Sequence, residues 1–489
     1  MAAKRYDAIV LGADIEGLAA SCTLAAAGKK VALVDGRGTP GGLASRVAVG
    51  DGFHAPGLAL EGSLARLDLL AGCGVAVDTA GAPGLHTLDP RGATLAPRLS
   101  EGSRSWTSDL VPLLTDWLAA PPPEIARPGP GDLVGLARFG LRLRRLGRRD
   151  LPELLRVATL PAWDWLADLT SEGAKAALVA PTLRAGVVGP RAAGTSGLLL
   201  LQALLRGREP AGGLAALRDA LVARAEASGV SLEPARGPSS ILVEAGRVAG
   251  VQLEDGETLS APVVLSAFDP AHTLLDLVDP RFIERAVERE LQGWRRGGSC
   301  AVVLLALREL PELASGGAVP DRFVTATDLT QLERAADALK YGSLPEAPWY
   351  DARVWSGAPF APAGGATLVV HIHGVGRGLR MDAADARASV RARLLTDLEV
   401  LLPGLEAALV HDEVLLPVDL EERFGLAGGH LFGGELALDQ LWITRPSLEL
   451  SRYRTPIEGL WLGGPGSHPG GPFHGGAGIL AGRAVLGER

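Results

Sequence analysis

Short, uninterrupted apolar runs alternate along this chain with longer stretches in which apolar residues recur every three or four positions. The first run, Ala8–Leu11, meets Gly12 and then a helical pattern over residues 15–27, which Gly28 ends; a second run, Val31–Val34, follows. Four to eight apolar residues bounded by turn residues predict a buried strand, and a period near 3.6 predicts a helix. The opening unit therefore reads strand, helix, strand, with a glycine-rich loop over 36–42. Gly212-Gly213 opens a second such segment. It has a helix over 214–227 stopped by Gly229, strands at 239–243 and 248–253 joined by Glu244-Ala245-Gly246, and an Asp255-Gly256 turn before a strand over 258–265. Further strands are expected at 301–307 and 366–372. The C-terminal part returns to a strand, Leu460–Leu462, a glycine loop over 463–478 and a helix over 479–486. Pro121-Pro122-Pro123 and Pro128-Gly129-Pro130 mark a surface loop, and 133–149 reads as one helix.

Composition narrows the class. A chain of 489 residues exceeds one simple core, so two sequential or intertwined domains are expected. Hydrophobic residues at 47% and charged ones at 21% describe a globular protein, and a net charge of −8 argues against nucleic acid as a partner. Cys22, Cys73 and Cys300 are far apart and form no C-x-x-C pair, which points to a reduced, cytoplasmic setting. The first strand comes within a few residues of Met1, leaving no room for a signal peptide, and no apolar run reaches spanning length. The Leu198-Leu199-Leu200-Leu201 run is expected in the core or along an apolar tunnel.

Candidate chemistry sits in the opening turn. Gly12-Ala13-Asp14-Ile15-Glu16-Gly17 lies between strand and helix, and Asp35 follows the next strand. This is the order of a dinucleotide-binding G-x-G-x-x-G with its ribose-binding carboxylate. Other segments join it in order: Asp35-x-Arg37 then Gly41-Gly42, Gly212-Gly213, the 261–264 run ending at Asp269-Pro270, and Asp419-Leu420-Glu421-Glu422-Arg423-Phe424-Gly425. Leu438-Asp439-Gln440-Leu441 follows. The closing block holds Tyr453-Arg454-Thr455-Pro456 and Ser467-His468-Pro469-Gly470-Gly471. In this ordered set the chain resembles the phytoene-desaturase-like branch of FAD-dependent, amine-oxidase-type flavoproteins over nearly its whole length.

The resemblance implies an α/β fold. A Rossmann-like FAD/NAD(P)-binding domain (1–75, 205–275 and 455–489) would be interleaved with an α+β substrate domain (76–204 and 276–454). It also implies hydride transfer from an apolar, isoprenoid- or carotenoid-like substrate to flavin. Carried over by position, Gly12 and Gly17 would shape the turn under the pyrophosphate and Asp35 would accept from the ribose hydroxyls. Arg37, Gly41 and Gly42 would line the diphosphate path, with Gly464, Gly470 and Gly471 near the diphosphate or flavin ring. No catalytic residue is matched.

Three departures fall on the expected FAD contacts. Asp14 replaces the central glycine and, as a helix N-cap, supplies its own anion where a phosphate belongs. Two unit charges ~4 Å apart at an effective dielectric near 20 repel by ~4 kcal/mol, an upper-end figure. Pro238 stands where the family has a valine whose backbone N–H holds adenine, unless the alignment is off by one residue. Pro472-Phe473 follow Gly470-Gly471; either Pro472 removes a donor and Phe473 enters ring space, or Pro472 is the first helical residue and Phe473 a pocket wall. Two readings stay open: an FAD-dependent oxidoreductase, or a flavin-free relative keeping the fold as a binding or assembly protein. A non-redox isomerase is a third.

Other candidates are secondary. His371-x-His373 places two imidazoles on one strand face without a third ligand, so no metal is expected. His468 and His474 are expected to hydrogen-bond structurally. Arg138, Arg142, Arg145 and Arg149, mixed with leucines over 133–149, give either an interfacial helix for peripheral membrane contact or a plain solvated face.

Overall fold

The computed structural model describes residues 4–60, 62–95, 106–125, 128–169, 171–184, 186–233 and 235–487; the side chains of 106–109 and Arg149 lie outside that description. Its centre is a five-stranded parallel sheet in the order Ser231–Glu233, Val31–Val34, Ala8–Leu11, Val264–Ser266, Leu460–Leu462. Parallel strands covered on both faces must be apolar throughout. Ala8–Leu11, Val31–Val34 and Val264–Ser266 are accordingly buried at every position. The helix Ile15–Ala26 crosses between the first two strands and packs against the C-terminal helix Gly476–Val485 and against Gly213–Ala227. Ends and middle of the chain thus meet at the carboxyl edge of one sheet, where ligands of open α/β sheets bind.

Pro238–Glu244, Arg247–Leu253 and Thr258–Ser260 form an antiparallel meander edged by Lys4–Arg5. The strand expected over 258–265 is therefore two: Pro262 interrupts it, and Val264–Ser266 joins the parallel sheet instead. A seven-stranded sheet lies beyond, with Cys300–Leu307, Ala366–His373 and Tyr350–Ser356 at its middle and the helix Ala383–Leu401 on one face.

A helical layer completes the molecule. The single helix expected over 133–149 is two, Pro130–Arg145 and Gly147–Thr159, broken where Gly147 takes φ +98°. Leu198 to Leu201 are buried in the helix Thr195–Leu205, shared among four apolar clusters of the core. The C-terminal helix starts at Gly476, earlier than expected. Pro472 is thus outside that helix rather than its first residue. Phe473 packs with Leu64, Leu118 and Leu201 in the core.

Candidate functional site

The first turn keeps the shape of a dinucleotide site. Gly12 adopts φ +90°, and a Cβ on Gly17 would lie 1.7 Å from the Gly12 carbonyl oxygen, so strand and helix approach as only glycine permits. Asp14 is the N-cap of Ile15–Ala26, its Oδ1 accepting the Gly17 N–H at 2.9 Å. Burial pushes its pKa up to about 6, against the Gly17 N–H and the nearby Arg37 charge.

Asp35 follows the second strand at 2% exposure, and its lone pairs are spoken for. The Ala13 N–H donates to Oδ2 at 2.7 Å. Arg37 donates its backbone N–H and Nε to Oδ1 at 3.0 and 2.8 Å, and Nη2 to Oδ2 at 2.5 Å. Four donors fill the roughly four acceptor positions of a carboxylate, leaving none for a ribose hydroxyl. Arg37 is pinned further by Nη1 donating to the Phe424 carbonyl at 2.6 Å.

Glu16 is the functional residue that sequence reasoning passed over. It lies on the buried face of the first helix, at 3% exposure, and reaches the start of the last helix. Its Oε1 accepts the Gly475 N–H at 2.7 Å and its Oε2 the Gly478 N–H at 2.8 Å. Burial, reinforced by the Asp14 charge, pushes its pKa up to about 8. A signal was present: it is the one charged residue in an otherwise small and apolar helix.

These groups enclose a narrow cleft. Asp14, Glu16, Arg37, Gly41, Gly42 and Gly471 line it, facing Phe268, Leu431 and His474. Its room is about 60 Å3, enough for roughly four to six water molecules. A smaller cavity of about 20 Å3 beyond Leu43, Leu431 and His474 holds Pro472, Arg184, Gln202 and His371. Leu43, Leu431 and His474 are common to both linings and stand between the two spaces. Gly12, Gly17, Asp35, Gly464 and Gly470 stand behind the lining rather than on it. Gly470 has to be glycine because a Cβ there would meet Arg445 Nε at 2.2 Å. Arg445, fully buried, donates to the carbonyls of Glu435, Gln440, Phe432, Gly434 and Pro465 and so fixes the closing turn. Pro238 opens its strand beside Gly237, which packs on Gly36 just past Asp35.

The residues present do not fit FAD in this arrangement. Carboxyl groups occupy both helix N-termini that border the cleft, and the ribose acceptor is saturated.

The remaining candidates are structural. His371 Nε2 donates to the Leu58 carbonyl at 2.7 Å, and His373 stacks on Trp349 at 3.8 Å. Among the described residues no group of three potential ligands could hold a metal. His468 Nε2 donates to the Trp117 carbonyl at 3.3 Å. No described helix is long and apolar enough to cross a membrane.

Residues 10–61 match the NAD(P)-binding Rossmann-like domain family. The chain is 27% identical to pyridine nucleotide-disulfide oxidoreductase domain-containing protein 2 of Rattus norvegicus, over 98% of this chain and 93% of that protein. It is 26% identical to the neurosporene-forming phytoene desaturase of Rhodobacter capsulatus, over 95% and 90%. Cyclohexylamine oxidase from Brevibacterium oxydans shares the fold, with a TM-score of 0.55 at 15% identity over 99% of this chain and 98% of that one. Over nearly its whole length the chain is thus similar to these relatives, a phytoene desaturase among them, and it shares the fold of the amine oxidase.

Proposed function

We propose that this chain works without a resident flavin, as a binding or assembly protein on an oxidoreductase fold. One observation carries the reading: Asp14 and Glu16 cap the two helix ends that line the dinucleotide cleft, and Arg37 beside them is taken up by Asp35. The ligand on this reading is an apolar small molecule. A cleft of about 500 Å3 beside Phe473, with Leu64, Leu67, Leu118 and Leu205 on its walls, has the size and character for one. The Rhodobacter relative, named for phytoene, supports the same class. The division into a discontinuous dinucleotide-type unit (1–75, 205–275, 455–489) and a substrate unit belongs to this proposal, as does peripheral membrane contact through the arginine-rich helices.

The second reading is an FAD-dependent oxidoreductase moving hydride from an apolar substrate. The surviving turn geometry at Gly12 and Gly17 favours it. The visible spectrum of the purified protein and its thermal shift with FAD separate the two. The flavin-free reading expects a colourless protein and no shift; a stoichiometric flavin spectrum sinks it.

A further inference from the structure

Asp14 and Glu16 stand two residues apart on the first turn of one helix, and both face the same cleft. Asp14 caps its own helix through Gly17, whereas Glu16 spans 459 and 462 positions of sequence to cap the last helix through Gly475 and Gly478. Helix N-termini draw anions through free N–H groups and the helix dipole. In a dinucleotide-binding fold those donors serve a pyrophosphate, whose two linked anionic groups also take a countercharge from a nearby arginine. Here two linked carboxyl groups take the donors, and Arg37 lies within reach of Asp14's charge.

We propose that the Asp14–Glu16 pair is a built-in stand-in for a dinucleotide pyrophosphate, and that the site beneath it is a dormant dinucleotide cradle. The inference rests on the flavin-free reading and sharpens it. On this reading the two side chains exclude the cofactor, and Glu16 also replaces its structural work by fastening the first helix to the last. Buried donors cannot be left unsatisfied without cost, so removing the pair leaves Gly17, Gly475 and Gly478 N–H groups open and Arg37 released from one of its two acidic neighbours.

The test is rescue by the missing group. Asp14→Gly/Glu16→Ala is expected to melt several degrees below the unsubstituted protein, and FAD, ADP or inorganic pyrophosphate is expected to restore the loss. The unsubstituted protein should not respond. Affinity for FAD, read by flavin fluorescence, should rise by about a hundredfold or more, since relief of a repulsion of up to ~4 kcal/mol allows that much. Should the double variant lose its fold, recovery of the native thermal transition on adding pyrophosphate or FAD supports the proposal. Asp14→Gly alone, with the Glu16 tie intact, should then gain at least tenfold in ADP affinity. Absence of rescue and of any gain in either variant overturns the stand-in but leaves the flavin-free reading standing. FAD bound to the unsubstituted protein overturns that reading instead.

Discussion

At the scale of single residues, the site turns on where protons sit. Asp14, held near 6, is ionised at neutral pH, while Glu16, held near 8, is largely protonated. A carboxyl whose folded pKa is raised stabilises the fold fully below its unfolded value and loses that contribution as pH rises through the folded one. For Glu16 the window runs from about 4.5 to about 8. The thermal midpoint of the unsubstituted protein should therefore fall relative to Glu16→Gln between pH 5 and pH 9, by a free energy on the order of a few kcal/mol. Glutamine cannot reproduce both acceptors, since its amide NH2 would oppose one of the two glycine N–H groups, but that penalty is independent of pH. Midpoints that run parallel across the range would mean Glu16 does not titrate there. Sequence gave warning of Asp14, because a broken motif is visible at its own position. It gave little of Glu16, because an acid in a first helical turn is ordinarily explained by the dipole, and its true partners lie at the far end of the chain.

Among elements, legibility followed how local the cause was. Ala8–Leu11, Val31–Val34 and Leu460–Leu462 could be read to the residue, since each is a short apolar run closed by glycine, aspartate or turn sequence. The run over 258–265 could not, because its two halves look alike and only Pro262 marks the change of sheet. The arginine-rich segment was likewise read through Gly147, which a helical period tolerates but the backbone does not. Its two helices carry seven arginines (138, 142, 144, 145, 148, 149, 156) against three acids (132, 150, 153), a surplus of four in a chain of net −8. Leu136, Phe139 and Leu143 turn inward, while Leu133, Val134, Leu141 and Leu155 are exposed. Exposed apolar side chains among arginines suit an anionic lipid surface, where each cation contributes about 1 kcal/mol. Sedimentation with phosphatidylserine-containing vesicles should carry the protein down, and Arg144→Glu/Arg145→Glu/Arg148→Glu should abolish this. Equal binding to neutral vesicles, or none to either, would leave the segment as an ordinary solvated face.

For the whole molecule, three neutral histidines mark the seams where distant segments are sewn together. His371 joins the seven-stranded sheet to the loop at Leu58, His468 joins the closing block to the helical layer at Trp117, and the His474 carbonyl receives the Arg66 N–H. None of these pairings is visible in sequence, because each joins positions more than 300 residues apart. Burial lowers His371 and His468 to about 3 and His474 to about 4. A buried imidazole of lowered pKa stabilises the fold above its unfolded value near 6.5 and loses that contribution as pH falls below it, because the unfolded chain then takes up the proton more readily. Asp14 and Glu16 work in the opposite sense, each gaining rather than losing stability as pH falls through its raised pKa, about 6 for Asp14 and about 8 for Glu16. Below about pH 6 the three histidines outweigh the two carboxyls, so the urea midpoint should decline from pH 6 to pH 4.5, with net proton uptake on unfolding. His474→Gln, which keeps polarity without a titrating group, should flatten part of that decline without moving the midpoint at pH 8 by a comparable amount. A midpoint constant from pH 6 to pH 4.5 would show that the seams do not govern acid stability.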